Sequence, residues 1–96
     1  MKDNYVIVRS NEIGQRLKRL KLEKGITNSE IARELSVSQQ AVYKWTSGQS
    51  TPDIQNICNL STLLSTTTDY ILKGESRDFE NRLIRIVSYA LLLRMR

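Results

Sequence analysis

Amide, phenol and ammonium groups recur in segment 39–44 at spacings of one, three and four residues, which would put them on one side of a helix. They belong to Gln39, Gln40, Tyr43 and Lys44. A glutamine amide can pair bidentately with the N6 and N7 edge of adenine in the major groove of DNA, and a lysine ammonium can read guanine or bind a phosphate. In an unknown fold, two adjacent glutamines would instead form an ordinary solvated face. Their role therefore depends on the elements that position them.

The apolar residues around this segment predict two short helices that meet at a sharp corner. Ile31 and Leu35 are four residues apart, 36–38 interrupts the pattern, and Val42 and Trp45 resume it three residues apart. Two helices joined by a turn of roughly three or four residues form a helix-turn-helix, whose second helix lies in the major groove of DNA. Because Trp45 shares the face of Val42, we expect it in the core rather than stacked on bases.

Six positions in and around the two helices carry a small residue, an apolar residue after the corner, a capping serine and a W-x-x-G ending followed by proline. They are Ala32, Val37, Ser38, Trp45, Gly48 and Pro52. With them the chain resembles the phage repressor and Cro family of XRE-type helix-turn-helix regulators over residues 13–74. The resemblance implies an all-α, lambda-repressor-like five-helix helix-turn-helix domain. Glycine is frequent in that family at the position of Ser36, because the corner favours a positive φ.

The resemblance also implies which side chains contact DNA. Base contacts are expected from the second helix, with Gln39 first because it lies at the helix N-terminus: Gln39, Gln40, Tyr43 and Lys44. Phosphate contacts through hydroxyl, amide or backbone N–H groups are expected at Thr27, Asn28, Ser38, Ser47, Gln49 and Ser50. Thr27 and Glu30 have the spacing of a capping box, so Thr27 and Asn28 could also serve only as helix caps.

One ion pair of the family is expected to be missing. In the family, a basic residue near the end of the first helix pairs with a glutamate just before the W-x-x-G glycine. The corresponding positions here hold Lys21 and Thr46. A lysine and a threonine cannot form that pair, so we expect a locally altered support for the second helix.

Three further helices are predicted around this unit. The first begins near Asn11, with Ser10 or Asn11 as its cap, and ends at Gly25. After the unit, Thr51 is the expected cap of a helix with Pro52 at its first position. The buried stripe of that helix is expected to include Ile54, Ile57, Leu60 and Leu64, with Cys58 as a small buried hydrophobe. A short last helix over 67–73 ends at Gly74.

These elements divide the chain into an N-terminal arm over 1–10, a helix-turn-helix DNA-binding domain over 11–74 and a C-terminal helix over 75–96. Residues 5–8 are aromatic and β-branched, and we expect an extended arm, with a short strand as the alternative. The arm could reach the minor groove or pack on its own domain. The tail carries an apolar seam that we expect to form a dimer contact, with packing inside its own chain as the alternative. The expected interface residues are Phe79, Leu83, Ile86, Val87, Ala90, Leu91 and Leu93.

Composition narrows the classes of function. The net charge of +5 favours a polyanionic partner. With one cysteine, no histidine, no glycine-rich phosphate loop and no nucleophile–base pair, we expect no enzyme, metal site or cofactor. The lone cysteine and the shortness of the apolar run 5–8 favour a cytoplasmic protein without a signal peptide or membrane span. Because the sequence ends where the catalytic domain of long phage repressors would begin, we also expect no self-cleavage.

The sequence therefore predicts a sequence-specific regulator of transcription that binds double-stranded DNA, of the phage or prophage repressor type. It would act as a homodimer on a two-fold symmetric operator. The alternative is an antitoxin-type module, which binds a protein partner through the apolar tail and also represses its own promoter.

Overall fold

Five helices follow one another in the part of the chain that the computed structural model describes, residues 5–74 and 90–91. They are α1 Ser10–Lys24, α2 Asn28–Leu35, α3 Gln39–Thr46, α4 Ile54–Leu63 and α5 Thr68–Lys73. The described residues contain no strand, so the expected all-α, five-helix domain is confirmed.

The two ends of the chain are described only in part. Residues 5–8 have no regular secondary structure and expose their apolar side chains, so the alternative of a short strand is not adopted. Of the predicted C-terminal helix, Ala90 and Leu91 are helical and exposed. Residues 75–89 and 92–96 lie outside the described residues, and with them five of the predicted interface residues: Phe79, Leu83, Ile86, Val87 and Leu93.

The core takes apolar side chains from every helix, largely where helical spacing placed them. In α1, Ile13, Leu17 and Leu20 are 0%, 2% and 8% exposed. In α3, Val42 is 1% and Trp45 is 6% exposed, which confirms that the tryptophan belongs to the core. The other buried apolar residues are Ile31, Ala32, Ile57, Leu60, Leu64, Tyr70 and Ile71.

The corner between α2 and α3 forms through local hydrogen bonds. Ser36 ends α2 in the left-handed region at φ 58°, which confirms the positive φ expected there. The Val37 N–H then donates to the Ala32 carbonyl at 3.0 Å. The Ser38 hydroxyl accepts from the Ala41 N–H at 3.0 Å and so caps α3, as its sequence position predicted.

Helix α1 crosses the end of α3 at backbone contact distance. A Cβ atom on Gly14 would lie 2.8 Å from the Trp45 carbonyl oxygen, 2.9 Å from that of Thr46 and 3.0 Å from the Gly48 nitrogen. Any side chain at this position would therefore push the two helices apart. Gly14 sets how closely α1 holds the C-terminal end of α3.

Two arginines of α1 bind α5 rather than remaining fully solvated. The Arg16 guanidinium donates to the carbonyls of Ile71 at 2.9 Å and Leu72 at 3.0 Å. Arg19 donates to the Tyr70 hydroxyl at 3.1 Å. A cation at a helix C-terminus satisfies carbonyls that lack partners within the helix. These arginines therefore fasten the last helix to the first.

The predicted caps of α1 and α4 are wrong, and so is the predicted start of α4. Helix α1 begins at Ser10 with Arg9 as its N-cap, and no side chain caps it. The Ser10 hydroxyl instead bonds the Thr51 hydroxyl at 2.7 Å. Helix α4 begins at Ile54, because the carboxylate of Asp53 accepts the Asn56 N–H at 2.9 Å and takes over as its cap.

The predicted burial of Ile54 and Cys58 is also wrong. Ile54 is 83% exposed and the thiol-bearing Cys58 is exposed. Within α4 the buried positions are Ile57, Leu60 and Ser61, so the buried face of this helix is narrow. Ile54 lies in the first turn of the helix, ahead of that face, and Cys58 lies at its edge.

Candidate nucleic-acid interface

The four residues predicted to contact bases lie together on the exposed side of α3. The buried Val42, Trp45 and Thr46 fix the opposite side of the helix against α1 and α2. Tyr43 is 56% exposed. The remaining three, Gln39, Gln40 and Lys44, are exposed as well. A rigid helix thus presents two amides, a phenol and an ammonium to solvent.

The N-terminus of α3 combines these glutamines with open backbone donors. The cap formed by Ser38 uses its hydroxyl oxygen and the Ala41 N–H. The N–H groups of Gln39 and Gln40, at the first two helical positions, have no carbonyl partner within the helix. The hydroxyl hydrogen of Ser38 remains able to donate. This end of the helix can therefore donate to phosphate oxygens beside the bases that the glutamines would read.

At the N-terminus of α2, Thr27 acts as a cap with both of its donors used inside the chain. Its N–H donates to the Glu30 carboxylate at 2.8 Å and its hydroxyl to the same oxygen at 3.2 Å. The Glu30 N–H donates back to the threonine hydroxyl at 3.1 Å. The backbone hydrogen bond, followed by the one from the hydroxyl, holds the pKa of Glu30 below its ordinary value. Thr27 is a structural cap here, and its donors do not point outward to a phosphate.

Asn28, the next residue, is oriented by a lysine that the sequence did not single out for binding. The Lys21 ammonium donates to the Asn28 amide oxygen at 2.7 Å, and both residues are half-buried. This bond occupies the oxygen, so the two hydrogens of the amide nitrogen are the donors left for a phosphate. A basic residue in the last turn of α1, seven positions before Asn28, was the signal that could have predicted this pair.

The two positions of the missing family ion pair have other partners. Lys21 binds Asn28, while Thr46 is 6% exposed and donates its hydroxyl to the Tyr43 carbonyl at 3.2 Å. The buried threonine hydroxyl is thereby satisfied within its own helix. Lys21 thus binds at the N-terminus of α2 and does not support α3 as the basic residue of the family pair would.

The loop after α3 has most of its predicted phosphate donors bound internally. The N–H groups of Gln49 and Ser50 both donate to the Lys44 carbonyl, at 2.9 and 3.2 Å, and that of Ser47 donates to the Tyr43 carbonyl at 2.9 Å. The Ser47 hydroxyl donates to the Lys44 carbonyl at 3.3 Å and accepts a hydrogen bond from the Gln49 side-chain amide at 3.1 Å. Of the three predicted residues here, Ser50 keeps a side-chain hydroxyl that makes no such bond within this loop.

Two kinds of feature are absent from residues 5–74 and 90–91, a metal-binding cluster and a membrane-spanning helix. No group of three or more His, Cys, Asp or Glu side chains there could hold a metal ion. Across the same residues, no helix combines the length and the apolar character needed to cross a membrane.

The arrangement of α2 and α3 matches a known family. The helix-turn-helix family model matches residues 17–71, more than half of the chain. The chain belongs to the helix-turn-helix family. It is of the XRE and phage-repressor type, a family of DNA-binding transcriptional regulators rather than enzymes. The resemblance carried by the motif from Ala32 to Pro52 is thus confirmed.

Relatives and solved structures of this family cover the same domain. The chain is 33% identical over 67 residues to an uncharacterized HTH-type transcriptional regulator, the SPbeta prophage-derived YonR of Bacillus subtilis (strain 168). That match covers 70% of this chain and 62% of YonR, so the chain spans about three fifths of that relative.

Two solved structures of DNA complexes are similar in fold. The P22 c2 repressor protein in complex with the synthetic operator 9T, in the presence of Tl⁺, has a TM-score of 0.63 and 27% identity over 66% of this chain and 96% of that chain. The master regulator for biofilm formation SinR in complex with DNA has a TM-score of 0.57 and 30% identity, over 62% of this chain and 95% of that chain.

Proposed function

We propose that this protein is a sequence-specific regulator of transcription that binds double-stranded DNA with α3 in the major groove. The observation that carries the proposal is the side of α3 opposite its buried anchors, which exposes Gln39, Gln40, Tyr43 and Lys44 together. The family, together with the two similar structures solved in complex with DNA, supports DNA binding.

Base recognition rests first on Gln39. It lies at the first position of α3. In the docking geometry of this motif, the N-terminal residues of the second helix contact base edges. Gln40 follows it and offers the same bidentate amide to adenine. Lys44, one turn later, binds guanine or a phosphate, and Tyr43 contacts a thymine methyl group or the backbone.

Backbone binding rests on the N-terminus of α2 and on its lysine. Asn28 donates its amide hydrogens to a phosphate, and Lys21, 2.7 Å from the amide oxygen, holds that amide and adds a positive charge. The N-terminus of α3, with the Ser38 hydroxyl, and the side chain of Ser50 supply a second set of donors. These contacts fix the register of α3 on the duplex without reading its sequence.

The protein acts as a homodimer on a two-fold symmetric operator, with segment 75–96 as the main dimer element. Its apolar seam is long enough to require cover, and Leu91 is 54% exposed in the single chain. Two heptads are too few for an independent coiled coil, so the interface also uses the globular body. Two α3 helices related by a two-fold axis then read two half-sites.

Selection of bound duplexes from a random pool, followed by a single substitution, tests the DNA proposal. Replacing Gln39 by alanine should weaken binding to the selected site by about 1–3 kcal/mol and relax base preference at one position of each half-site. Gln55→Ala, an exposed glutamine on α4, is the matched control and should bind normally. An equal loss on all DNA would make Gln39 a backbone contact instead.

Sedimentation tests the dimer. A chain ending at Gly74 should be more monomeric than the full chain, whereas an unchanged dimer would contradict a role for 75–96. Purification of the full chain also separates the two functions weighed for the tail: a tightly bound second protein species would favour the antitoxin alternative.

A further inference from the structure

An open apolar groove of about 320 Å³ lies between α4 and α5. Its lining includes Pro52, Ile54, Ile57, Cys58 and Leu72, and none of the lining residues is charged. Ile54 stands at its edge with 83% of its side chain exposed. When a large aliphatic side chain lies exposed beside an apolar groove, removing both from water is favourable in free energy, so this surface favours binding of an apolar partner.

A second apolar surface of the same chain is open at the same time. Leu91, in the helical part of the tail that the structure describes, is 54% exposed. Within the described part of the chain, the groove is open and Leu91 is exposed. Both would be covered at once if the tail of one copy met the groove of another.

Charge favours the same pairing. Residues 49–74 contain two acidic side chains, Asp53 and Asp69, and one basic side chain, Lys73. Both acids are exposed and each is adjacent in sequence to residues that line the groove. Segment 77–96 contains five arginines and two acids, a net charge of +3. An apolar groove with acidic residues beside it and an apolar segment with basic residues are thus complementary in both respects.

We propose that the groove between α4 and α5 is covered by a second copy of this chain, which places its apolar C-terminal segment there. The inference rests on the proposed homodimer and goes beyond it, because it assigns the surface of the globular body that the tail binds. Each protomer supplies one groove and one tail, so two identical contacts close a two-fold dimer.

Cys58 provides a direct measurement on the unaltered protein. It is the one cysteine of the chain, it is exposed, and it lines the groove, so its rate of reaction with a thiol reagent reports whether the groove is covered. The rate should fall about tenfold as the protein concentration rises from well below to about a hundredfold above the dimer dissociation constant measured by sedimentation. The probe is the reagent alone, without DNA.

A neutral substitution at the edge of the groove tests the contact itself. Ile54→Gln leaves the core intact, since this side chain is already exposed, and should raise the dimer dissociation constant about tenfold by removing an apolar anchor. It should also restore the reactivity of Cys58 at intermediate concentrations. Gln55→Ala, on the same helix but outside the groove lining, should change neither measurement.

The other outcomes separate the groove from the proposed function. If the thiol reacts slowly at every concentration, the chain covers its own groove and the inference is overturned. If dimers form while the thiol stays fully reactive, the dimer stands but the groove is not its interface. A monomer at all concentrations would overturn both proposals, and DNA binding by that monomer would still leave the role of α3 intact.

Discussion

Replacing Gly14 by alanine should destabilise the domain by about 2 kcal/mol, although alanine is the better helix former. The added Cβ would lie 2.8–3.0 Å from three backbone atoms at the end of α3, where ordinary contacts are 3.4–4 Å. Backbone cannot rotate away as a side chain can, so α1 and α3 must separate by roughly 0.5 Å. Such overpacking costs about 3 kcal/mol at the upper end of the usual range, and the change from glycine to alanine in a helix returns about 1 kcal/mol.

Urea unfolding monitored by tryptophan fluorescence measures this effect. Trp45 is the one tryptophan of the chain, is 6% exposed, and contributes the carbonyl nearest to the added Cβ, so its emission reports the affected contact. A loss of this size should lower Tm by roughly 10 °C for a domain of this length. Gln15→Ala, exposed on the next position of α1, is the control and should change stability by less than about 0.5 kcal/mol. A Gly14→Ala protein as stable as the parent would refute the close contact between α1 and α3.

Three further changes test the corner, the backbone contact and the capping box. Ser36→Gly should raise the free energy of unfolding in urea by roughly 0.5–1 kcal/mol. The strain of serine at a φ of 58° is larger than the additional conformational entropy that glycine loses on folding. Lys21→Met removes the bond to Asn28 and one cation, so the slope of log K against log salt for DNA binding should become shallower by about 0.9, with Lys73→Met as control. The lowered pKa of Glu30 contributes stability that is fully present above about pH 4.5, the ordinary pKa of a glutamate, and is lost as the pH falls through the lower pKa of the folded state. Glu30→Gln should remove that part of the dependence of stability on acid pH.

Each of these has a clear contrary result. Loss of stability in Ser36→Gly would mean that the serine side chain supports the corner through contacts of its own. An unchanged slope of log K against log salt in Lys21→Met would mean that the lysine only orients the Asn28 amide and does not contact a phosphate. An acid unfolding curve that is the same with glutamine at position 30 would show that other carboxylates dominate the acid limb.

The parts of the fold that the sequence predicted are those set by neighbours within a few residues. The caps at Thr27 and Ser38 each accept an N–H three residues ahead, so residue type and spacing identify them. The positive φ at Ser36 follows in the same way from the shortness of the corner. The exposed face of α3 was predictable because four residues of one helix share it once the buried side is known.

The errors arose where distant residues decide the outcome. Thr51 looks like a helix cap locally, but its hydroxyl bonds Ser10, 41 residues away, and Asp53 takes the role. Helical spacing identified the apolar face of α4, but it could not show how far the neighbouring helices extend along that face. Ile54 was therefore wrongly predicted to lie in the core. The close approach of α1 and α3 at Gly14 could not be predicted from neighbouring residues, because it depends on the position of α3, which follows much later in the sequence.

The same distinction applies within the candidate interface, where we propose that different groups provide specificity and affinity. The backbone N–H groups of Gln49 and Ser50 both donate to the Lys44 carbonyl. The loop after α3 therefore closes the end of that helix and leaves these two N–H groups unable to bind a phosphate. In the proposed complex, backbone binding depends on the N-termini of α2 and α3 and on Lys21. The partner of Lys21 is another side chain, which local spacing could not predict. Because these groups would hold the duplex without reading its sequence, we propose that discrimination between sequences depends on the exposed side chains of α3. The close crossing at Gly14 would matter for that discrimination, since the bidentate contacts proposed for Gln39 require α3 to lie at a fixed depth in the groove.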